Sequence, residues 1–148
     1  MELENNIYYT DEYFMSEALK EAKKASDKGE VPVGAVIVLE NEIIARGRNR
    51  RESLNNALCH AEIEAINNAC EKLKSWRLLD CKLYVTLEPC NMCKEVIRQS
   101  RIHEVYYLNK SKFNNEIYNN ITISEIEGYN FEKDNYLLKL KQFFINKR

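Results

Sequence analysis

Between residues 11 and 28 apolar side chains recur at three- and four-residue spacing. Phe14, Ala18, Ala22 and Ala25 form one stripe, with Met15 and Leu19 beside it. That period predicts a helix, with Thr10 as its cap and Gly29 at its stop. The pattern then changes: residues 31–39 are almost continuously apolar, as in a strand buried on both faces. Glu40-Asn41-Glu42 is a polar turn, and residues 43–49 predict a second strand paired with the first. Residues 55–59 lead into a helix over 60–73, with Ile63, Ile66, Ala69, Cys70 and Leu73 on its inner stripe. A short strand over 81–86 is followed by Leu87-Glu88-Pro89, where the proline suits a helix start. The helix over 90–100 points Met92, Val96 and Ile97 inward. Strands over 104–108 and 121–125 flank a polar, unpatterned stretch at 109–120, and residues 131–146 carry Tyr136, Leu137, Leu140, Phe143 and Phe144 at helical spacing. Helices alternating with strands predict an α/β sandwich, a sheet with helices on both faces. With no internal repeat and no linker, residues 1–148 read as one domain.

Strict alternation along the second strand puts Ile43, Ala45, Gly47 and Asn49 on one face and Ile44, Arg46, Arg48 and Arg50 on the other. Asn49 is open to two readings: an amide that reads the edge of a base or a ribose hydroxyl, or an ordinary turn asparagine. The arginine row is a solvated edge face, which also blocks edge pairing, or, together with Arg51, a phosphate contact.

A 45% apolar fraction and only 4 Gly and 2 Pro in 148 residues give enough apolar surface for a sizeable core. The net charge of −1 supplies no global attraction for a polyanion, so a nucleic-acid partner requires a local basic patch. No apolar run approaches membrane-spanning length. Met1-Glu2-Leu3-Glu4 has neither the basic start nor the apolar core of a secretory leader. With an odd number of cysteines, 5, the expectation is a reduced, cytoplasmic setting, where a Cys-x-x-Cys pair binds metal or does redox chemistry.

That pair is Cys90 and Cys93, in Pro89-Cys90-Asn91-Met92-Cys93, and upstream stands His60-Ala61-Glu62. Both segments open predicted helices, whose free N–H groups favour thiolate over thiol. Two thiolates and one imidazole are three donors of the kind Zn²⁺ prefers. Three protein ligands leave a tetrahedral corner for water, as in a catalytic rather than a structural site. Glu62 is then a carboxylate placed to move protons. In the competing reading Cys59 closes the shell and the zinc only stabilises an interaction module. Cys70 and Cys81 read as core residues, and His103 as an ordinary surface or core histidine.

The His-x-Glu and Pro-Cys-x-x-Cys pair is the signature of the zinc nucleobase deaminases. The sequence resembles the cytidine deaminase-like superfamily and, more narrowly, the tRNA-specific adenosine deaminases. The likeness runs through Val31-Pro32-Val33-Gly34-Ala35-Val36, Gly47-Arg48-Asn49-Arg50, His60-Ala61-Glu62-Ile63, Leu83-Tyr84-Val85-Thr86-Leu87-Glu88-Pro89-Cys90 and Ser100-Arg101-Ile102. The resemblance implies a three-layer α/β/α sandwich around a five-stranded mixed sheet, and a homodimer whose partner subunit helps line the site. It implies one zinc per subunit on His60, Cys90 and Cys93 with a bound water or hydroxide, and Glu62 as proton shuttle. It also implies that Asn49 and the Ala61 backbone N–H contact the target nucleoside. The implied reaction is hydrolytic deamination of wobble adenosine to inosine in a tRNA anticodon loop. The alternative is a free base or nucleoside of guanine or cytosine type. The sequence departs from the family after Leu108, in the 109–120 stretch, at Asn91, and in a basic tail reduced to Lys147 and Arg148.

Overall fold

The computed structural model describes residues 8–111 and 121–146. In chain order the elements are α1 (Asp11–Asp27), β1 (Gly34–Leu39), β2 (Glu42–Arg48), α2 (Arg51–Leu54), α3 (Ala61–Leu73), β3 (Lys82–Leu87), α4 (Asn91–Gln99), β4 (Glu104–Asn109), β5 (Thr122–Glu125) and α5 (Asn130–Asn146). The sheet order is β2-β1-β3-β4-β5. β1 runs antiparallel to β2 and to β3, whereas β3, β4 and β5 are parallel, so the sheet is five-stranded and mixed. The α/β/α layering follows from two apolar clusters. One joins α1 and α5 to Val36, Val38, Tyr84 and Leu108. The other joins α3 and α4 to Ala35, Ile37, Leu83, Val85 and Val105 on the opposite face.

α1 begins as expected, with the Thr10 hydroxyl accepting from Tyr13 N–H, and ends at Gly29 with φ of +76°. The first strand starts at Gly34 rather than at residue 31, because the chain turns at Val31-Pro32-Val33, where Val33 N–H donates to Val31 O. α2 was not expected; it is one turn in the segment leading to α3. The stretch at 112–120 and the basic residues Lys147 and Arg148 lie outside the described residues, while Asn109 closes β4.

Three expected faces are corrected. In the β1–β2 hairpin Ile37 pairs with Ala45 but Val38 pairs with Ile43, so Ile44 is an extra residue, a β-bulge. The bulge breaks the alternation: Ile43 packs with the α1 cluster, and Ala45 with the α3 cluster. In α3 the inner stripe is Ala61, Ala65 and Ala69 with Glu62 and Ile66, while Ile63, Cys70 and Leu73 are only half-buried. The cause is Gly47. A Cβ there would lie 2.3 Å from Ala61 O and 2.4 Å from Ala65 N, so α3 rests on β2 at backbone distance and only alanines fit the seam. In α4 the buried residues are Cys93, Lys94 and Ile97; Met92 and Val96 are half-buried. The thiol, not the methionine, takes the inner face.

Arg46 and Arg48 lean onto α1 and are only partly open to solvent. Arg46 donates to Glu17 at 2.7 Å and to Glu21 at 3.4 Å, and Arg48 lies 4.0 Å from Glu21. Buried Glu17 and Glu21 thus turn the arginine row into a clamp between α1 and the edge strand. Hydrogen bonds from Lys20 and Arg46 hold the Glu17 carboxyl below its ordinary pKa. A carboxylate with a depressed folded-state pKa stabilises the fold above its unfolded value, and the increment is lost as pH falls through the folded value.

Two outcomes follow. Gly47→Ala should lower stability by about 1–3 kcal/mol, as overpacking does, and lower the zinc bound per chain; urea unfolding and metal analysis check this. Glu17→Gln should destabilise the protein at pH 7 and converge with the parent as pH falls through the lowered folded-state value of Glu17, checked by thermal melts across pH.

Candidate active site

β3 ends at Leu87, and after Pro89 the chain enters α4 with Cys90 as its N-cap. His60 is the N-cap of α3, and neither residue makes a side-chain capping bond. Their side chains meet on the face of the sheet that α3 and α4 share. The His60 Nδ1 atom lies 3.6 Å from Cys90 Sγ and 3.4 Å from Cys93 Sγ, and all three donor atoms fall within 4.8 Å of one another. With zinc–nitrogen and zinc–sulfur bonds of about 2.0–2.1 and 2.3 Å, a tetrahedral angle spaces nitrogen and sulfur by about 3.6 Å. The donors therefore already stand at the edges of a zinc tetrahedron. The charges point the same way. The Cys90 thiol is brought down to about 3, chiefly by a hydrogen bond from Cys93, whereas Cys93 is pushed far up by the adjacent Cys90 and by burial. Two sulfurs that share one negative charge can both ionise only around a cation. The Cys90 contact also raises the His60 pKa.

Cys59 is buried but stands outside this trio; among the described residues only His60, Cys90 and Cys93 form such a group. Among the described residues no fourth protein donor joins the three. Cys81 is buried, which pushes its thiol up to about 11, and half-buried Cys70 is raised for the same reason, so both are inert.

Glu62, one residue into α3 from Ala61, is 4% exposed and shares a hydrogen bond with Cys93. Burial raises its carboxyl to about 7, against the opposing pull of its own backbone N–H and of His60. Ala61 is fully buried at the first position of α3, where helix geometry offers its N–H no acceptor. Asn49 follows β2 and is 5% exposed. Its N–H donates to Val33 O, and its Oδ1 accepts from Arg51 N–H at 3.0 Å. The turn role is therefore real, and it fixes the orientation of the amide.

Three buried polar residues near the site had not been singled out. Glu30 is 2% exposed and accepts from the backbone of α2. Lys94, next to Cys93, lies 3.9 Å from Glu88, whose Oε1 accepts from Ser111 N–H. The Thr86 hydroxyl donates to Tyr136 Oη, which donates to Pro32 O and ties α5 to the strand that leads into Cys90. A sequence signal existed for two of them: Glu30 interrupts the passage from a helix stop to an apolar strand, and Lys94 follows a ligand on its inner stripe.

This geometry is that of a zinc-binding deaminase domain. The chain belongs to the family described as the cytidine and deoxycytidylate deaminase zinc-binding region, whose model matches residues 8–109. It is 53% identical over 97 residues to a protein of Bacillus subtilis (strain 168) named tRNA-specific adenosine deaminase; the match covers 66% of this chain and 60% of that relative. One similar solved structure comes from work on A-to-I editing by tRNA:A34 deaminases at the wobble position of transfer RNA. It has a TM-score of 0.72 and 38% identity over 78% of this chain and 98% of that one. Another is a guanine deaminase from Bacillus subtilis, with a TM-score of 0.66 and 38% identity over 69% of this chain and 66% of that one. Zinc is the cofactor of this family, and the donor set fits it.

Cys93→Ser and His60→Ala should each remove stoichiometric zinc, whereas Glu62→Gln should retain it; elemental analysis of the purified variants separates the two outcomes.

Proposed function

We propose that this protein is a zinc-dependent hydrolase that converts adenosine to inosine at the wobble position of tRNA. The observation that carries this reading is the 53% identity to tRNA-specific adenosine deaminases across the segment that holds the donor trio. On this reading His60, Cys90 and Cys93 hold the ion. When bound, zinc supplies a Lewis acid that lowers the pKa of a coordinated water towards neutrality. Buried Glu62 would take one proton from the attacking water and give it to the ring nitrogen, and would then carry the remaining hydroxyl proton to the departing amino group. The C6–oxygen bond forms, the C6–nitrogen bond breaks, and ammonia leaves. The Ala61 N–H and the Asn49 Nδ2 donors orient the base.

An anticodon loop suits this buried site, because an unstacked base is extruded from a single strand at small cost. The local basic surface that a net charge of −1 demands has a candidate beyond the C-terminus of α3. Trp76 is 53% exposed, the Arg77 guanidinium lies 4.3 Å above its ring, and Arg101 lies 5.5 Å from it. Exposed Leu54 and Leu58, beside the site, support a homodimer in which a second copy covers them. Among the described residues no helix is long and apolar enough to cross a membrane, which is compatible with a cytoplasmic enzyme.

A free-base deaminase is the second reading, favoured by the guanine deaminase likeness at the same 38% identity. The 53% identity to relatives named tRNA-specific adenosine deaminase weighs against it.

Zinc-loaded protein should form inosine in an anticodon stem-loop carrying adenosine at position 34, and should leave free guanine, cytosine and adenosine unchanged. Release of ammonia from a free base, with the stem-loop untouched, would overturn the proposal. Glu62→Gln should lower turnover by roughly 10²–10⁴-fold. Light scattering on the same sample should give twice the 17.5 kDa chain mass.

A further inference from the structure

The segment from Asn49 to His60 bounds the site, with a proposed substrate contact at one end and a metal donor at the other. Within the single chain every side chain from residue 51 to 58 is exposed, so no apolar packing inside the subunit holds the segment down. α2, at its centre, buries no residue, and its N-cap Arg50 makes no side-chain capping bond. A single turn without packing or cap is not stable by itself.

Apart from the backbone bonds from Arg50 N–H to Cys59 O and from Cys59 N–H to Asn56 O, what holds it comes from a distant part of the chain. The Glu30 carboxylate accepts from Glu52 N–H at 3.0 Å through Oε1, and from Ser53 N–H at 2.7 Å and the Ser53 hydroxyl through Oε2. Glu52 and Ser53 are the second and third residues of α2, whose N–H groups a capping side chain normally serves. The remaining N–H of that turn, on Arg51, is taken by Asn49 Oδ1. Glu30 is itself fixed: its N–H donates to Ala25 O at 2.9 Å, beyond the left-handed Gly29 that ends α1. The helix stop of α1 thus places a buried carboxylate where α2 must begin.

We infer that Glu30 is a positioning residue for the deamination, acting through α2 to hold the Asn49 amide with its Nδ2 donors towards the substrate. The inference rests on the proposed role of Asn49. Without its carboxylate the N–H groups of Glu52 and Ser53 lose their acceptor, α2 opens, and Arg51 N–H no longer pins Asn49 Oδ1.

The test is a double-mutant cycle with Glu30→Gln and Asn49→Ala, run on whichever substrate the parent enzyme turns over, beside amide hydrogen exchange. Glu30→Gln should keep its zinc and lower kcat/KM by roughly 10- to 100-fold, the scale of an ångström-sized misplacement. The double variant should fall no further than Asn49→Ala alone, and exchange at the Glu52 and Ser53 amides should accelerate. Independent, multiplying losses in the cycle, or unchanged exchange at those two amides, would overturn the inference. Should Glu30→Gln fail to fold, Glu30→Asp keeps the charge, withdraws it by one methylene and is read by the same two criteria. A parent that acts on free bases defeats the tRNA reading while leaving the cycle and the exchange to decide on Glu30. Were the parent inactive on every substrate, exchange alone would decide.

Discussion

At Gly47 the backbone of β2 meets the first turns of α3 with no side chain between them. Every other distance in the site is set from that contact. It seats Ala61 and Ala65 against the sheet, and so fixes where His60 ends the preceding loop and where Glu62 enters the interior. On the other face Gly34 does the same for α1, where a Cβ would lie 2.1 Å from Ala18 O. Two helices are thus pressed onto neighbouring strands from opposite sides, and the sheet between them cannot shift without opening one seam or the other. Interiors of this density pass small displacements on instead of absorbing them.

On that frame the chemistry needs little more. Two helix N-termini, each with a donor at the cap, converge on one face of the sheet, and a third donor comes from the inner face of α4. Bringing two thiolates and a carboxylate together out of water is unfavourable unless a cation joins them. The site is therefore built around an ion, and its polar surroundings are correspondingly ordered: Glu88 and Lys94 flank the two cysteines, and the Thr86–Tyr136–Pro32 chain ties α5 to the same turn.

Much of this was legible in the residues alone. The donor trio and Glu62 could be read because metal chemistry restricts residue type and spacing together, and the alternation of helix and strand followed from hydrophobic period. The inner stripe of α3 was misread because period shows which residues share a face but not how near the neighbour lies; a glycine on another strand decided that. The faces of β2 were misread before Ala45 because a single bulge residue leaves no compositional trace. The arginine row was ambiguous because its partners, Glu17 and Glu21, sit on α1 some 25 residues upstream. Glu30 escaped notice for the same reason: its partners lie 22 and 23 residues along the chain.

The bulge at Ile44 also bears on how such a chain can diverge. From Ala45 onward the strand depends on that supernumerary residue for its handedness in the sheet. Removing it would rotate Gly47 towards α1 and turn Asn49 away from the site, since a one-residue slip exchanges the two faces of a strand. Among descendants of this sequence, the distance from Ile44 to His60 should therefore drift by substitution while its length stays constant, and length variation should collect in the Glu40-Asn41 turn, which no site residue depends on for its facing.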